Sequence, residues 1–241
     1  MTKSRCLCTY GIDPIEYAKF FTYSPLSENT CAVTGCAVEA ATLLIPARDP
    51  DGRTVVAVED RAFAGRTSLR AVTLPDSVES IGTRAFAFCT GLLDVRVSAA
   101  SRLTTIGARA FMGCERLTVL RFGGLHHLSH IGRSAFAYCT RLRSVMLPDG
   151  LAELAPSLFE GCTALEHVHL PETLTALRAG VFSACASLQT LELPASVTVI
   201  EDCAFAWCAR LTDLRLPDTA CMIAASAFMD CVGLGDILRV G

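Results

Sequence analysis

The chain has 241 residues, of which 51% are hydrophobic and 19% charged, and its formal net charge is −3 at pH 7. That composition supplies a sizeable core and argues against disorder. No run of about 18 apolar residues occurs, which excludes a membrane-spanning helix. The first ten residues lack the apolar stretch of a secretory signal, so the expected location is cytoplasm or nucleus.

Residues 1–57 read as an N-terminal segment. Within it, 15–21 suggests a short amphipathic helix, 30–38 alternates like strand around a turn at Gly35, and 41–46 is a strand followed by Pro46. The stretch 31–57 therefore predicts a hairpin and a half coil that close the N-terminal end of the remaining chain. Cys6, Cys8, Cys31 and Cys36 are spaced poorly for a structural zinc site, which favours two to four residues between paired ligands. They read as ordinary thiols.

From residue 58 to 241 one pattern recurs about eight times. Phe63, Phe86, Phe111, Phe136, Phe159, Phe182, Phe205 and Phe228 succeed each other at intervals of 23 or 25 residues. An aliphatic residue stands five before each (Val58, Ile81, Ile106) and a Leu six after (Leu69, Leu92, Leu117). A fixed period of this length signals a solenoid, because one coil cannot bury its own apolar face. Each unit divides into a helical or 3₁₀ turn around Ala-Phe-x-x-Cys and a short strand, Leu-x-x-Val-x-Leu-Pro. Strands that enter once per coil stack as a parallel sheet about 4.8 Å apart. Pro75, Pro148, Pro171, Pro194 and Pro217 should end them. Seven of the thirteen cysteines (Cys89, Cys114, Cys139, Cys162, Cys185, Cys208 and Cys231) occupy one repeat position. They are expected to be reduced, buried thiols acting as small hydrophobes.

Two units depart from the pattern. At 97–102 and 122–127 the strand-ending Pro is replaced and two residues are added, so adjacent coils should carry adjacent bulges on one rim. Such loops often lie on a binding face, and equally drift where a surface tolerates it. The second bulge brings His126, His127 and His130 close in sequence. Imidazoles can hold zinc or copper, yet no carboxylate or Cys completes the spacing and Leu128 must point inward. His167 and His169 share one side of a strand with Glu192 on the next, which reads as an acid/base cluster or as a solvated sheet face. No phosphate-cradling glycine loop or nucleophile elbow is present. No enzyme activity, cofactor or metal is assigned.

The strings 74–92 and 193–211, running Leu-Pro, Val, Ile, Ala-Phe, Cys and Leu at matching intervals, resemble the BspA-like class of leucine-rich repeats. Residues 51–58 are similar to that family's lead into its first full repeat. The resemblance implies a right-handed, curved α/β solenoid, with a parallel sheet on one face and short helical or 3₁₀ turns on the other, used for binding. Known members include cell-surface adhesins and protist proteins of unassigned role.

Charge is unevenly distributed. Residues 1–145 hold 17 Lys/Arg and 12 Asp/Glu, whereas 146–241 hold 4 and 12, so the net charges are +5 and −8 and sum to −3. In a solenoid, sequence halves are spatial halves. Arg61, Arg84 and Arg109 share one repeat position, Arg96 and Arg121 share a sheet column, and Glu192, Asp213 and Asp236 lie toward the other end. Arg239 stands where other repeats place an inward aliphatic, and a bare strand edge there would dock on a partner or a second copy.

These readings converge on a non-catalytic protein–protein interaction module. Its inner-face contact set is Arg96, Arg121, Ser144, Met146, His167, His169, Glu192, Asp213 and Arg215. Two others stand beside it. One is a structural subunit of a large, RNA-containing assembly that touches RNA through Arg61, Arg84, Arg96, Arg109 and Arg121. The other is a cell-surface adhesin.

Overall fold

Successive coils hydrogen-bond to one another along as many as three separate stretches of backbone, and this lateral pairing defines the architecture. A computed structural model describes residues 13–122, 124–217 and 220–234; Cys6, Cys8, Asp236 and Arg239 lie outside them. The chain opens with helix α1 (Pro14–Ala18) and strands β1 (Phe21–Pro25), β2 (Thr30–Cys36), β3 (Thr42–Leu44) and β4 (Thr54–Val58). Paired short strands come after these: β5 (Ala71–Thr73) and β6 (Ser80–Ile81), β7 (Asp94–Arg96) and β8 (Thr105–Ile106), β9 (Val119–Arg121) and β10 (His130–Ile131). Next are β11 (Ser144–Met146) and β12 (Glu153–Leu154), then β13 (His167–His169) and β14 (Ala176–Leu177). The last are β15 (Thr190–Glu192), β16 (Val199–Ile200), β17 (Asp213–Arg215) and β18 (Met222–Ile223).

The three-residue strands form the expected parallel sheet, divided into hydrogen-bonded segments β3-β5-β7, β9-β11-β13 and β15-β17. They end two residues before the repeat prolines, whose missing N–H cannot extend the ladder. The two-residue strands make a second parallel ladder, β4-β6-β8-β10 and β12-β14-β16-β18. It is absent from the sequence-based expectation because two residues are too few for an alternation to register.

Between the ladders lies the core. The eight repeat phenylalanines stack in one column, with ring centroids 5.2 to 5.9 Å apart and interplanar angles of 3° to 20°. A small offset from face-to-face overlap suits aromatic quadrupoles, and the coil spacing of about 4.8 Å imposes the near-parallel planes. Each repeat cysteine caps this column from below. Its Sγ reaches the carbonyl oxygen of the Phe one coil back, from Cys89 to Phe63 at 3.1 Å through Cys139 to Phe111 at 3.3 Å to Cys231 to Phe205 at 2.9 Å. The slot therefore selects a side chain that is small, apolar and able to donate one weak hydrogen bond.

Helical turns on the opposite face are not what forms; this part of the expectation is corrected. Apart from α1 and a 3₁₀ turn at 232–234, the described residues contain no helix. Two positions per coil explain this. Two residues before the Phe, Arg61, Arg84, Arg109, Ser134, Ser157, Gly180 and Cys203 have φ between 56° and 66°. Two residues after it, Gly65, Phe88, Gly113, Tyr138, Gly161, Ala184, Trp207 and Asp230 have φ between 57° and 75°. Left-handed residues cannot continue a right-handed helix. Alternate N–H groups instead point sideways: those of Arg84, Phe86 and Phe88 donate to Ala108, Ala110 and Met112 on the next coil at 2.7 to 2.9 Å. The residues between them, Ala85, Ala87 and Cys89, bond back three positions along the chain. The local turn bonds exist, but never consecutively.

The N-terminal lid differs in detail from expectation. Gly35 lies inside β2 rather than in a turn, and the hairpin pairs β1 with β2 in antiparallel fashion, the chain reversing at 26–29. β2 then runs parallel to β4, which covers the edge of the second ladder. Helix α1 (Pro14–Ala18) is shorter than the 15–21 expected, since Phe21 opens β1; Pro14 occupies its first turn and the Asp13 carboxylate accepts from the N–H groups of Ile15 and Glu16. Arg66 ties the lid to the first coil by donating to the carbonyls of Val38 and Cys36, its guanidinium 5.7 Å above the Phe63 ring.

The insertions at 97–102 and 122–127 come directly after adjacent strands β7 and β9. Their residues partly fill the interior: Phe122 packs tilted against Phe136 at 5.8 Å, and Leu125 and Ser101 are buried. His126, His127 and His130 stay exposed, split by buried Leu128. Among the described residues, no three metal-ligating side chains converge, and no helix is long and apolar enough to cross a membrane.

Candidate functional site

Side chains alternate across a strand, so in each three-residue strand the middle residue turns to the core and the outer two face away. Parallel register then lines the outer residues up in two columns. The first holds Asp94, Val119, Ser144, His167, Thr190 and Asp213; the second holds Thr73, Arg96, Arg121, Met146, His169, Glu192 and Arg215. All nine residues expected to make inner-face contacts stand in these columns. Ser144 is half-buried and the other eight are exposed.

Two ion pairs bear on these columns. Arg96 and Arg121 are not a bare like-charge pair: Arg96 ends one sheet segment and Arg121 begins the next, and Arg96 donates to the Asp94 carboxylate at 2.6 Å. Glu192, which lines the same groove as the two histidines, has the Arg215 guanidinium as its ion-pair partner at 3.7 Å. The side chains of Arg121, Met146, His167, His169 and Asp213 make no hydrogen bond or ion pair to another described residue. A shallow groove of about 440 Å³ crosses β11, β13, β15 and β17 over Met146, His167, His169 and Glu192. It offers an apolar thioether, two imidazoles and charges of both signs within four coils.

Arg61, Arg84 and Arg109 lie elsewhere, on the turn ladder, each with a left-handed backbone at φ 56° to 58°. Arg61 is exposed and the other two are half-buried. The five arginines expected to contact RNA are thus divided between two segments of the coil, three on turns and two on strands.

Two sets of exposed residues escaped the sequence analysis. Phe88, Tyr138 and Trp207 are half-exposed aromatics at the same turn position; reading down the column two residues after the core Phe would have found them. Arg70, Arg116 and Arg141 approach one another beside the strand ladder. Their different offsets from the core Phe, seven residues for Arg70 and five for the others, hide that approach.

Burial sets the chemistry of the interior thiols. It pushes Cys89 up to about 11 and Cys139 up to about 12, and Cys114 and Cys162 rise for the same reason. Thiols held protonated in this way are poor nucleophiles and poor metal ligands.

Comparison with known proteins accords with this geometry. The sequence profile of the BspA type leucine rich repeat region matches residues 52–158 and 129–238, in six copies. A leucine rich cell surface protein from Faecalibacterium prausnitzii is 30% identical, with a TM-score of 0.71; the match covers 81% of this chain and 52% of that one. The T. pallidum leucine rich repeat protein is 29% identical with a TM-score of 0.73, over 92% of this chain and 91% of that one. No curated protein matches the chain. With the repeat, the stacked coils and the profile in agreement, the chain belongs to the BspA type leucine-rich repeat family.

Proposed function

We propose that this protein is a non-catalytic protein-binding module whose contact surface is the outward side of the three-residue strands. The supporting observation is that, within these columns, the side chains of Arg121, Met146, His167 and His169 have no hydrogen-bond or ion-pair partner among the described residues. The parallel ladder holds the backbone of these residues in place before binding, so the ordering cost falls on the side chains alone. Mixed charge with one thioether and two imidazoles fits a protein patch of similar composition.

The test is capture of partners by the full chain and by two variants. Replacing Arg121, Met146, His167 and His169 together by Ala should abolish retention of a defined partner, whereas replacing Arg61, Arg84 and Arg109 by Ala should not. Equal retention by both variants would refute the reading. The intracellular location and reduced thiols belong to this proposal. Similarity to a protein described as a cell surface protein favours a second version, in which the same columns face outward as an adhesin. Labelling of intact cells with a membrane-impermeant reagent separates the two. An RNA-contacting role draws less support, because its five arginines do not share one surface. The expected docking of the C-terminal end rests on Arg239, outside the described residues.

A further inference from the structure

We infer that the rim beside the strand ladder carries an acidic-polysaccharide site built from Arg70, Arg116 and Arg141 with the hydroxyls of Thr67, Thr90 and Thr140. These residues line one polar groove of about 570 Å³, distinct from the strand columns described above.

The construction arises from the repeat. Arg116 and Arg141 stand five residues after Phe111 and Phe136, so their backbones are one coil apart, about 4.8 Å. The same position one coil earlier is Gly91. A Cβ there would fall 2.2 Å from the Thr67 carbonyl oxygen, so the position tolerates no side chain and the groove floor is bare backbone. Arg70 lies across that floor, donating from Nη1 to the Gly91 carbonyl at 3.2 Å. Its remaining N–H groups stay available, since a guanidinium carries five donors. All three arginines are exposed, and none forms an ion pair with another described residue. Neighbouring guanidiniums repel unless an anion lies between them, and the planar fork matches sulfate or carboxylate oxygens two at a time.

The rest of the lining decides between polyanions. A strand of nucleic acid brings a continuous row of phosphates and favours aromatic platforms for its bases. The groove has no aromatic side chain, and Glu115 stands within it, where a phosphate row would meet a like charge. A polysaccharide carries anionic groups at intervals, with hydroxyls between them. Its hydroxyls can donate to Glu115 and pair with the threonines while its charged groups take the arginines.

The test uses the full chain, a size-defined heparin oligosaccharide for sulfate chemistry and oligogalacturonate for carboxylate chemistry, with binding followed by calorimetry at two salt concentrations. Binding of either supports the inference and identifies the anionic group; binding of neither overturns it. Arg116→Gln with Arg141→Gln should weaken the bound saccharide by about tenfold or more, as expected from losing two charge-assisted contacts. Arg61→Gln with Arg109→Gln removes the same charge from the turn ladder and should weaken it less than about twofold, the small effect of distant screened charges. Equal losses in the two variants would reduce the effect to net charge and overturn the site. So would tighter binding of oligothymidylate than of heparin at matched charge. Because the strand columns are untouched in both variants, failure here leaves the protein-binding reading standing.

Discussion

The Tyr17 hydroxyl serves both backbone groups of Leu44, donating to its carbonyl at 2.9 Å and receiving its N–H at 3.2 Å. Leu44 lies on β3, the outermost strand of the first sheet segment, whose unpaired side would otherwise offer free groups to another chain. One phenol on a five-residue helix thus substitutes for a neighbouring strand. Tyr17→Phe keeps the ring among Phe20 and Phe21 but leaves both groups of Leu44 unserved. The expected cost is about 1–3 kcal/mol, read from the urea midpoint, with increased self-association in sedimentation. A wild-type midpoint would show that water serves Leu44 equally well.

The phenylalanine column should grade in importance from its middle outward. Phe136 is fully buried and stacked on both sides, whereas Phe228 is half-buried at the last described coil. Phe136→Ala is expected to cost about 3–5 kcal/mol by leaving a cavity between two rings. Phe228→Ala should cost less than half as much. Guanidinium unfolding followed by circular dichroism measures both, and equal effects would contradict a continuous stack.

At the turn ladder, Phe88 lies over Gly113. A Cβ on Gly113 would stand 2.7 Å from Cδ1 of Phe88, and the glycine has φ +71°. Gly113→Ala therefore combines a left-handed alanine, about 1–2 kcal/mol, with a steric overlap. Removing the ring by Phe88→Ala relieves the overlap and leaves only the backbone cost. In a double-mutant cycle the pair should be less destabilised than the sum of the singles, by about 0.5 kcal/mol or more. Simple additivity would mean the ring swings away freely.

The buried thiols make stability sensitive to alkali. In the unfolded chain they ionise around their ordinary value of 9.0, while in the folded chain Cys89 does so only at about 11 and Cys139 at about 12, because burial disfavours the thiolate. With folded values above unfolded ones, the folded state keeps protons that the unfolded state releases. Stability is therefore unaffected by these groups below pH 9, and falls as pH rises from 9 toward 11–12 with a slope of at most about 1.4 kcal/mol per pH unit per thiol. Cys139→Ala should be less stable at pH 8 yet lose less between pH 8 and pH 10 than the wild type. Parallel curves over that interval would show the thiol to be solvated.

The amino-acid sequence by itself determined the coil, its period and the inward set. The repeats place Phe and Leu eight times and Cys seven times in the same surroundings, so the physical demand of one slot is written over and over and survives variation in any single copy. The same logic located the outward columns, since period-two alternation over three residues is enough to assign Arg121 or His167 to the solvent side. Tertiary structure alone decided what depends on lateral neighbours more than 20 residues away in the chain. The left-handed turns are one case: Arg84, Phe88 and Trp207 carry no glycine signature, and adopt that backbone because the adjacent coil accepts their N–H groups. The hold of Tyr17 on Leu44, that of Arg70 on the Gly91 carbonyl, and the gathering of Arg70 and Arg116 around one groove are others. Such contacts depend on the reach of individual side chains over a neighbouring surface, for which no local periodicity exists.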